Sequence, residues 1–84
     1  MDSRVRELWT NALESGEYIQ GDGRLKQELD GQCYHCCLGV LAELYIQEHP
    51  GTEWEEWEEV EDVTTFKILG GVNYLRDKIL KWAG

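Results

Sequence analysis

The chain has little of what a membrane protein, a disulfide scaffold or a metal site requires. No apolar run approaches the ~18 residues that cross a bilayer, so no membrane partner is expected. Charges at Asp2, Arg4, Arg6 and Glu7 stand where a secretory leader carries its apolar stretch, so no leader is expected either. The three cysteines, Cys33, Cys36 and Cys37, form one odd-numbered cluster. That is a poor disulfide framework and fits a reducing cytoplasm. Cys33-x-x-Cys36 with His35 and His49 lacks the second, separated ligand pair of a structural zinc site, so the thiols read as small buried hydrophobes. Asp22 and Asp30 lack the ligand spacing of a calcium loop, and no Lys-Ser/Thr follows Gly21-x-Gly23 to make a phosphate loop. A nucleophilic Cys36 or Cys37 with His35 or His49 as base lacks both a strand-turn-helix elbow and a third residue to orient the imidazole. The chain therefore reads as a non-enzyme, with no cofactor and no metal.

Basic residues are also missing, and the gap is local. From Glu43 to Asp62 there are nine acids and no Lys or Arg, while the eight acids outside this window balance eight bases. The whole net charge of −9 thus falls in one quarter of the chain. Its densest part is Glu53-Trp54-Glu55-Glu56-Trp57-Glu58-Glu59-Val60-Glu61-Asp62, with seven carboxylates and two of the four tryptophans. A pI near 4.5 argues against direct nucleic-acid binding, because phosphates are repelled. A basic protein suits this surface.

Eighty-four residues make one small domain, residues 1–84, whose fold buries only about 60–65% of the unfolded chain's surface. Oligomerisation or partner binding would supplement so small a core. Ser3 serves as an N-cap, and Val5, Leu8, Trp9, Ala12 and Leu13 follow at helical spacing, predicting a helix over 3–14 with Trp9 as a core anchor. Tyr18, Ile19 and Leu25 flank a Gly21-Asp22-Gly23 turn and fit a short hairpin or an ordered loop. Cys37, Val40, Leu41, Leu44 and Tyr45 share one face of a second helix, 35–48, ended by Pro50-Gly51. Trp54, Trp57, Val60 and Val63 recur every three residues, which is neither a clean helical face nor strand alternation. We read Trp57–Val63 and Thr65–Leu69 as a two-stranded ribbon, with a short acidic helix over 52–60 as the rival. Asn73 caps a last helix carrying Leu75, Ile79 and Trp82. The expected fold is α+β: about three helices, with a short antiparallel hairpin or ribbon between the second and third.

Trp9-x-x-Ala12-Leu13-x-Ser15-Gly16-x-Tyr18-x-Gln20-Gly21-x-Gly23-x-Leu25, followed by Cys36-Cys37-Leu38-Gly39-Val40-Leu41, resembles a group of small proteins of tailed phages and prophages. Trp82-Ala83-Gly84 is similar to a later Trp-Ala-Gly of that group. The resemblance implies a phage or prophage origin, a small α+β fold and action in the host cytoplasm. It brings no catalytic residue. The Glu run is not part of the shared pattern, which places the special role of this chain in its acidic half.

The expected function is inhibition of a host defence protein, anti-CRISPR-like, through a basic groove meant for nucleic acid, such as that of a CRISPR effector or another nuclease. Glu53, Glu55, Glu56, Glu58, Glu59, Glu61 and Asp62 would imitate phosphates, and Trp54 and Trp57 would anchor the contact. Carboxylates two apart on a strand lie about 6.6 Å apart, near the distance between successive phosphates. Three alternatives stand beside it: an oligomeric sponge for a nucleotide immune signal using Arg4, Arg6, Arg24, Lys26 and Arg76; a structural or regulatory phage protein; and a merely solvated acidic face.

Overall fold

The computed structural model describes residues 1–21 and 23–84. Among these, three helices and one five-stranded mixed sheet form an α+β fold. The elements are α1 (Ser3–Glu14), β1 (Ile19–Gln20), β2 (Lys26–Leu29), β3 (Gln32–His35), α2 (Cys37–Glu48), β4 (Glu55–Val60), β5 (Val63–Lys67) and α3 (Asp77–Ala83). The strand order is β1-β3-β2-β5-β4, with β1 parallel to β3 and every other pairing antiparallel. This corrects the expected fold. The ribbon is not a separate hairpin between the last two helices; it is the outer half of a sheet whose other three strands come before α2.

The missed strands have a physical explanation. Lys26-Gln27-Glu28-Leu29 and Gln32-Cys33-Tyr34-His35 carry too few apolar residues to show period-two alternation. They are joined by Asp30-Gly31, where both residues are left-handed (φ 52° and 77°) and Leu29 pairs with Gln32. That is the two-residue hairpin turn favoured by Asp-Gly. The expected Gly21-Asp22-Gly23 turn lies partly outside the described residues, as does the Asp22 half of the calcium reading. His35, expected to open the second helix, instead ends β3.

Helix boundaries shift for similar reasons. The α1 N-cap is Asp2, not Ser3: its carboxylate accepts from the Val5 N–H at 3.0 Å. Val5 is buried, and Trp9 and Ala12 are half-buried, whereas Leu8 and Leu13 face solvent. Trp9 anchors the helix as expected, packing on the core and donating its indole N–H to the Cys37 carbonyl at 2.8 Å. Asn73 caps nothing. α3 starts at Asp77, after Arg76.

The core joins Val5, Leu25, Leu41, Ala42, Tyr45, Ile68, Leu75, Ile79 and Ala83, with α2 at its centre. Gly39 of α2 lies directly against the Leu25 backbone, so that a Cβ there would sit 1.8 Å from the Leu25 carbonyl oxygen. The same carbonyl accepts from the Cys36 N–H at 3.3 Å. Residues directly opposite each other share a face. The row His35–Lys26 faces α2, since both side chains meet Glu43 of that helix. The row Tyr34–Gln27–Thr65–Glu58 therefore points to the other side of the sheet.

Two stability outcomes follow. Helix propensity alone makes Gly39→Ala stabilising by ~1 kcal/mol. The Leu25 contact reverses the sign, and we expect a loss of at least ~2 kcal/mol in urea denaturation. In the second β-turn, Glu61 and Asp62 both hold positive φ, 50° and 69°, a geometry that strains L-residues by roughly 1–2 kcal/mol each. Glu61→Asn with Asp62→Gly should raise stability by about 1 kcal/mol and the melting temperature by roughly 4–8 °C.

Candidate functional site

The β4–β5 ribbon carries the acidic run. β4 is an edge strand, paired on one side to β5, and all six of its residues are exposed. Glu56 pairs with Phe66 and Glu58 with Thr65, so Trp57 is the extra residue of a β-bulge. The bulge resets the parity of the strand. In an unbroken strand Glu56 and Glu58 share a side; here Glu58 lies opposite Thr65 on the face turned away from α2, while Glu56 lies opposite Phe66 on the α2 face. Glu55 joins Glu58, and Glu59 joins Glu56. Each same-face pair spans two residues of β5, so its spacing remains about 6.6 Å. The period of three in Trp54, Trp57 and Val60 is neither helix nor simple strand; it runs along a strand interrupted once.

Glu53, Glu55, Glu56, Glu58, Glu59, Glu61 and Asp62 are all exposed. Among the described residues none of the seven enters an ion pair within 4.0 Å. Glu59 accepts a long hydrogen bond from the Thr64 hydroxyl at 3.4 Å. The two tryptophans separate. Trp54 is half-buried against the core with the Lys26 ammonium 5.4 Å from its ring centre, whereas Trp57 is 45% exposed with the Arg24 guanidinium 5.9 Å from its ring. The structure thus joins six of the seven carboxylates and Trp57 on one ribbon, with Glu53 leading into it, and sets Trp54 apart as a packing residue.

A second cluster lies where α2 crosses the sheet. His35, buried to 6% exposure, donates its Nε2–H to the Glu43 carboxylate at 2.6 Å. Lys26 Nζ stands 3.9 Å from the same carboxylate and 4.9 Å from the Phe66 ring centre. The Trp54 indole N–H is buried nearby and closes no hydrogen bond, and His35 Nδ1 is buried without a partner among the described residues. Burial opposes the Glu43 charge, but the His35 bond, the neighbouring Trp54 N–H and Lys26 outweigh it and hold this carboxyl below its ordinary value. Burial, aided by the Glu43 and Glu17 charges, pushes the Tyr18 hydroxyl up. Tyr18, edge-on to His35 at 5.2 Å, lines a cavity of about 300 Å³ together with Leu13, Gln20, His35, Cys37 and Val40.

The sequence reading had no third residue for His35, and Glu43 supplies it. Eight positions separate the two, and no motif links them. Cys33 and Cys36 are half-buried, consistent with the expected packing role, but Cys37 is exposed, against the expectation that it joins the apolar face of α2. No group of three or more His, Cys, Asp or Glu side chains among the described residues is placed to hold a metal ion. No helix among them is long and apolar enough to cross a membrane.

The Glu43 linkage predicts acid behaviour. Its folded value is depressed, so its stabilisation is present above the unfolded value of about 4.5 and is lost as pH falls through the lower folded value. Glu43→Gln should lower the urea midpoint at neutral pH and flatten the fall in stability below about pH 4.5. An unchanged acid limb would mean that this carboxylate is not held as described.

No curated protein and no solved structure matches the chain. A family model does match, along residues 1–84, and by it the chain belongs to the family described as a domain of unknown function, DUF8296.

Proposed function

We propose that this protein docks its β4–β5 ribbon onto a basic, nucleic-acid-binding groove of a host protein and thereby inhibits it, as an anti-CRISPR or other anti-defence protein does. One observation carries the reading: seven exposed carboxylates on one ribbon and the residue leading into it, none of them in an ion pair among the described residues. A groove that accepts nucleic acid is lined with Lys and Arg, because a duplex presents one charge per ~1.7 Å of its axis. On each side of the strand one pair of carboxylates, about 6.6 Å apart, matches a phosphate-like spacing. Trp57, exposed beside them, is the apolar anchor such a contact needs. The phage setting and the host cytoplasm rest on the resemblance to small tailed-phage proteins.

The nucleotide-sponge alternative draws less support. Arg4 is engaged by Glu48, and Lys26 by Glu43 and two aromatic rings.

The test is capture from host extract by the tagged protein, followed by titration against the captured partner. Binding should weaken steeply with salt, since exposed charges are screened over about 10 Å at 0.1 M. Replacing Glu55, Glu56, Glu58 and Glu59 with Lys should weaken binding at least about 100-fold, because like charges across an interface cost several kcal/mol. Circular dichroism should show the fold intact, as these side chains are solvated. Full inhibition by the quadruple variant would refute the proposal.

A further inference from the structure

The unpaired acids of the ribbon have a counterpart elsewhere in the chain. Residues 76–81 hold three of the eight bases, Arg76, Lys78 and Lys81, against one acid, Asp77. Among the described residues none of these three bases enters an ion pair within 4.0 Å. Arg76 and Lys78 are exposed and line a cavity of about 570 Å³ with Leu69, Tyr74, Leu75 and Asp77. Its apolar lining reaches solvent, with Leu69 37% and Tyr74 54% exposed. The backbone holds this lining in place. Ile68 and Gly71 exchange both backbone hydrogen bonds, at 2.9 and 2.8 Å, around Leu69-Gly70. A Cβ on Gly71 would stand 2.3 Å from the Tyr74 carbonyl oxygen, so the loop folds back tightly there. Leu75 is anchored in the core, between exposed Tyr74 and Arg76. The Arg76 guanidinium lies 5.9 Å from the Tyr74 ring centre and donates to its hydroxyl at 3.1 Å. Leu69 has a φ of 48°, in a turn that favours Asn and strains a bulky L-residue. Strain of this kind gathers where a ligand is clamped.

We propose that this cavity receives the β4–β5 ribbon of a second copy of the chain, with Trp57 inserted and the flanking glutamates meeting Arg76 and Lys78. Charge complementarity selects the occupant. Glu55, Glu56, Glu58 and Glu59 surround Trp57 and have no ion-pair partner among the described residues, and the cavity offers bases in the same condition. Trp57 is 45% exposed and needs an apolar seat. A cavity of this size accommodates a whole ring system. Trp, Tyr and Arg are the side chains that carry binding energy at interfaces and meet one another across them. The net charge of −9 opposes association at long range. At about 0.15 M salt, however, charges are screened over about 8 Å, short against a molecule 40 Å long. The contact joins two different patches, so copies that exchange ribbons reciprocally close as a dimer and others extend into chains. Association covers the ribbon, and a host groove must displace the second copy to reach it.

Sedimentation equilibrium of the purified protein tests this at about 0.15 M salt. Between roughly 10 μM and 1 mM the mass should rise from 9.8 kDa toward twice that or more, with a Kd of about 100 μM. Arg76→Glu with Lys78→Glu should weaken association at least about tenfold, and so should Glu55→Lys, Glu56→Lys, Glu58→Lys and Glu59→Lys together. Mixing the two variants should restore it, because each then offers the sign that the other lacks. Leu69→Asn should raise the melting temperature, since Asn suits the turn, and yet weaken association by removing the apolar wall. A monomer at every concentration, association that survives either charge reversal, or a mixture that stays monomeric would overturn the proposal. The experiment uses the purified protein alone, so its failure and a failure to inhibit a host protein are separate results.

Discussion

The contact on which the rest of the structure depends is the seating of α2 on the Leu25 backbone. The helix comes so close at Gly39 that no side chain fits, and the Leu25 carbonyl closes the junction by accepting from the Cys36 N–H. A helix pressed this closely to the chain entering β2 buries Val40, Leu41, Ala42, Leu44 and Tyr45, covering more of its circumference than an ordinary surface helix does. The same approach brings Glu43 over the end of β3, where it meets His35, and over the start of β2, where it meets Lys26. Polar groups at such a depth persist when they are paired. The His35–Glu43–Lys26 cluster is thus a consequence of where the helix lies.

That placement also decides what remains outside. α2 covers the end of the sheet nearest Leu25 and Ile68, and the elongated molecule, 40 Å by 26 Å by 22 Å, carries β4 as an uncovered edge. An edge strand normally invites pairing with another chain, and dense charge with a bulge discourages it. β4 has both, since it bears four glutamates and is interrupted at Trp57. A second copy of this edge would be repelled, while a surface rich in Lys and Arg would not. The charge and bulge that discourage edge-to-edge pairing of two β4 strands are therefore also the features that would make the proposed partner selective.

How much was legible in the sequence depended on which physical signal each element carries. α1 and α2 were readable because Val5, Trp9 and Ala12, and then Val40, Leu41, Leu44 and Tyr45, repeat with helical period. The α+β class followed from those helices and the β-branched run at Thr64–Ile68. The sheet was not legible, because β2 and β3 are polar strands held by backbone pairing and one Asp-Gly turn. That turn was the available signal for their hairpin. In β4, simple alternation would put Glu56 and Glu58 on one face, and a single inserted residue at Trp57 separates them. The His35–Glu43 pair was beyond any local pattern, since it exists only when a strand end and the second turn of a helix are packed together.

Nine acids lie without a base between Glu43 and Asp62 in the sequence. In the fold they divide. Glu48 is answered by Arg4 and by the Trp82 indole N–H, and Glu43 by His35 and Lys26. Both of these acids are on α2 and both draw their partners from elsewhere in the chain. The other seven, all on the ribbon or leading into it, draw no ion-pair partner from the described residues. An acid that stabilises the fold has its countercharge within the chain. The seven that lack one contribute little to holding this structure together, and their countercharge is the part of the site that a partner would supply.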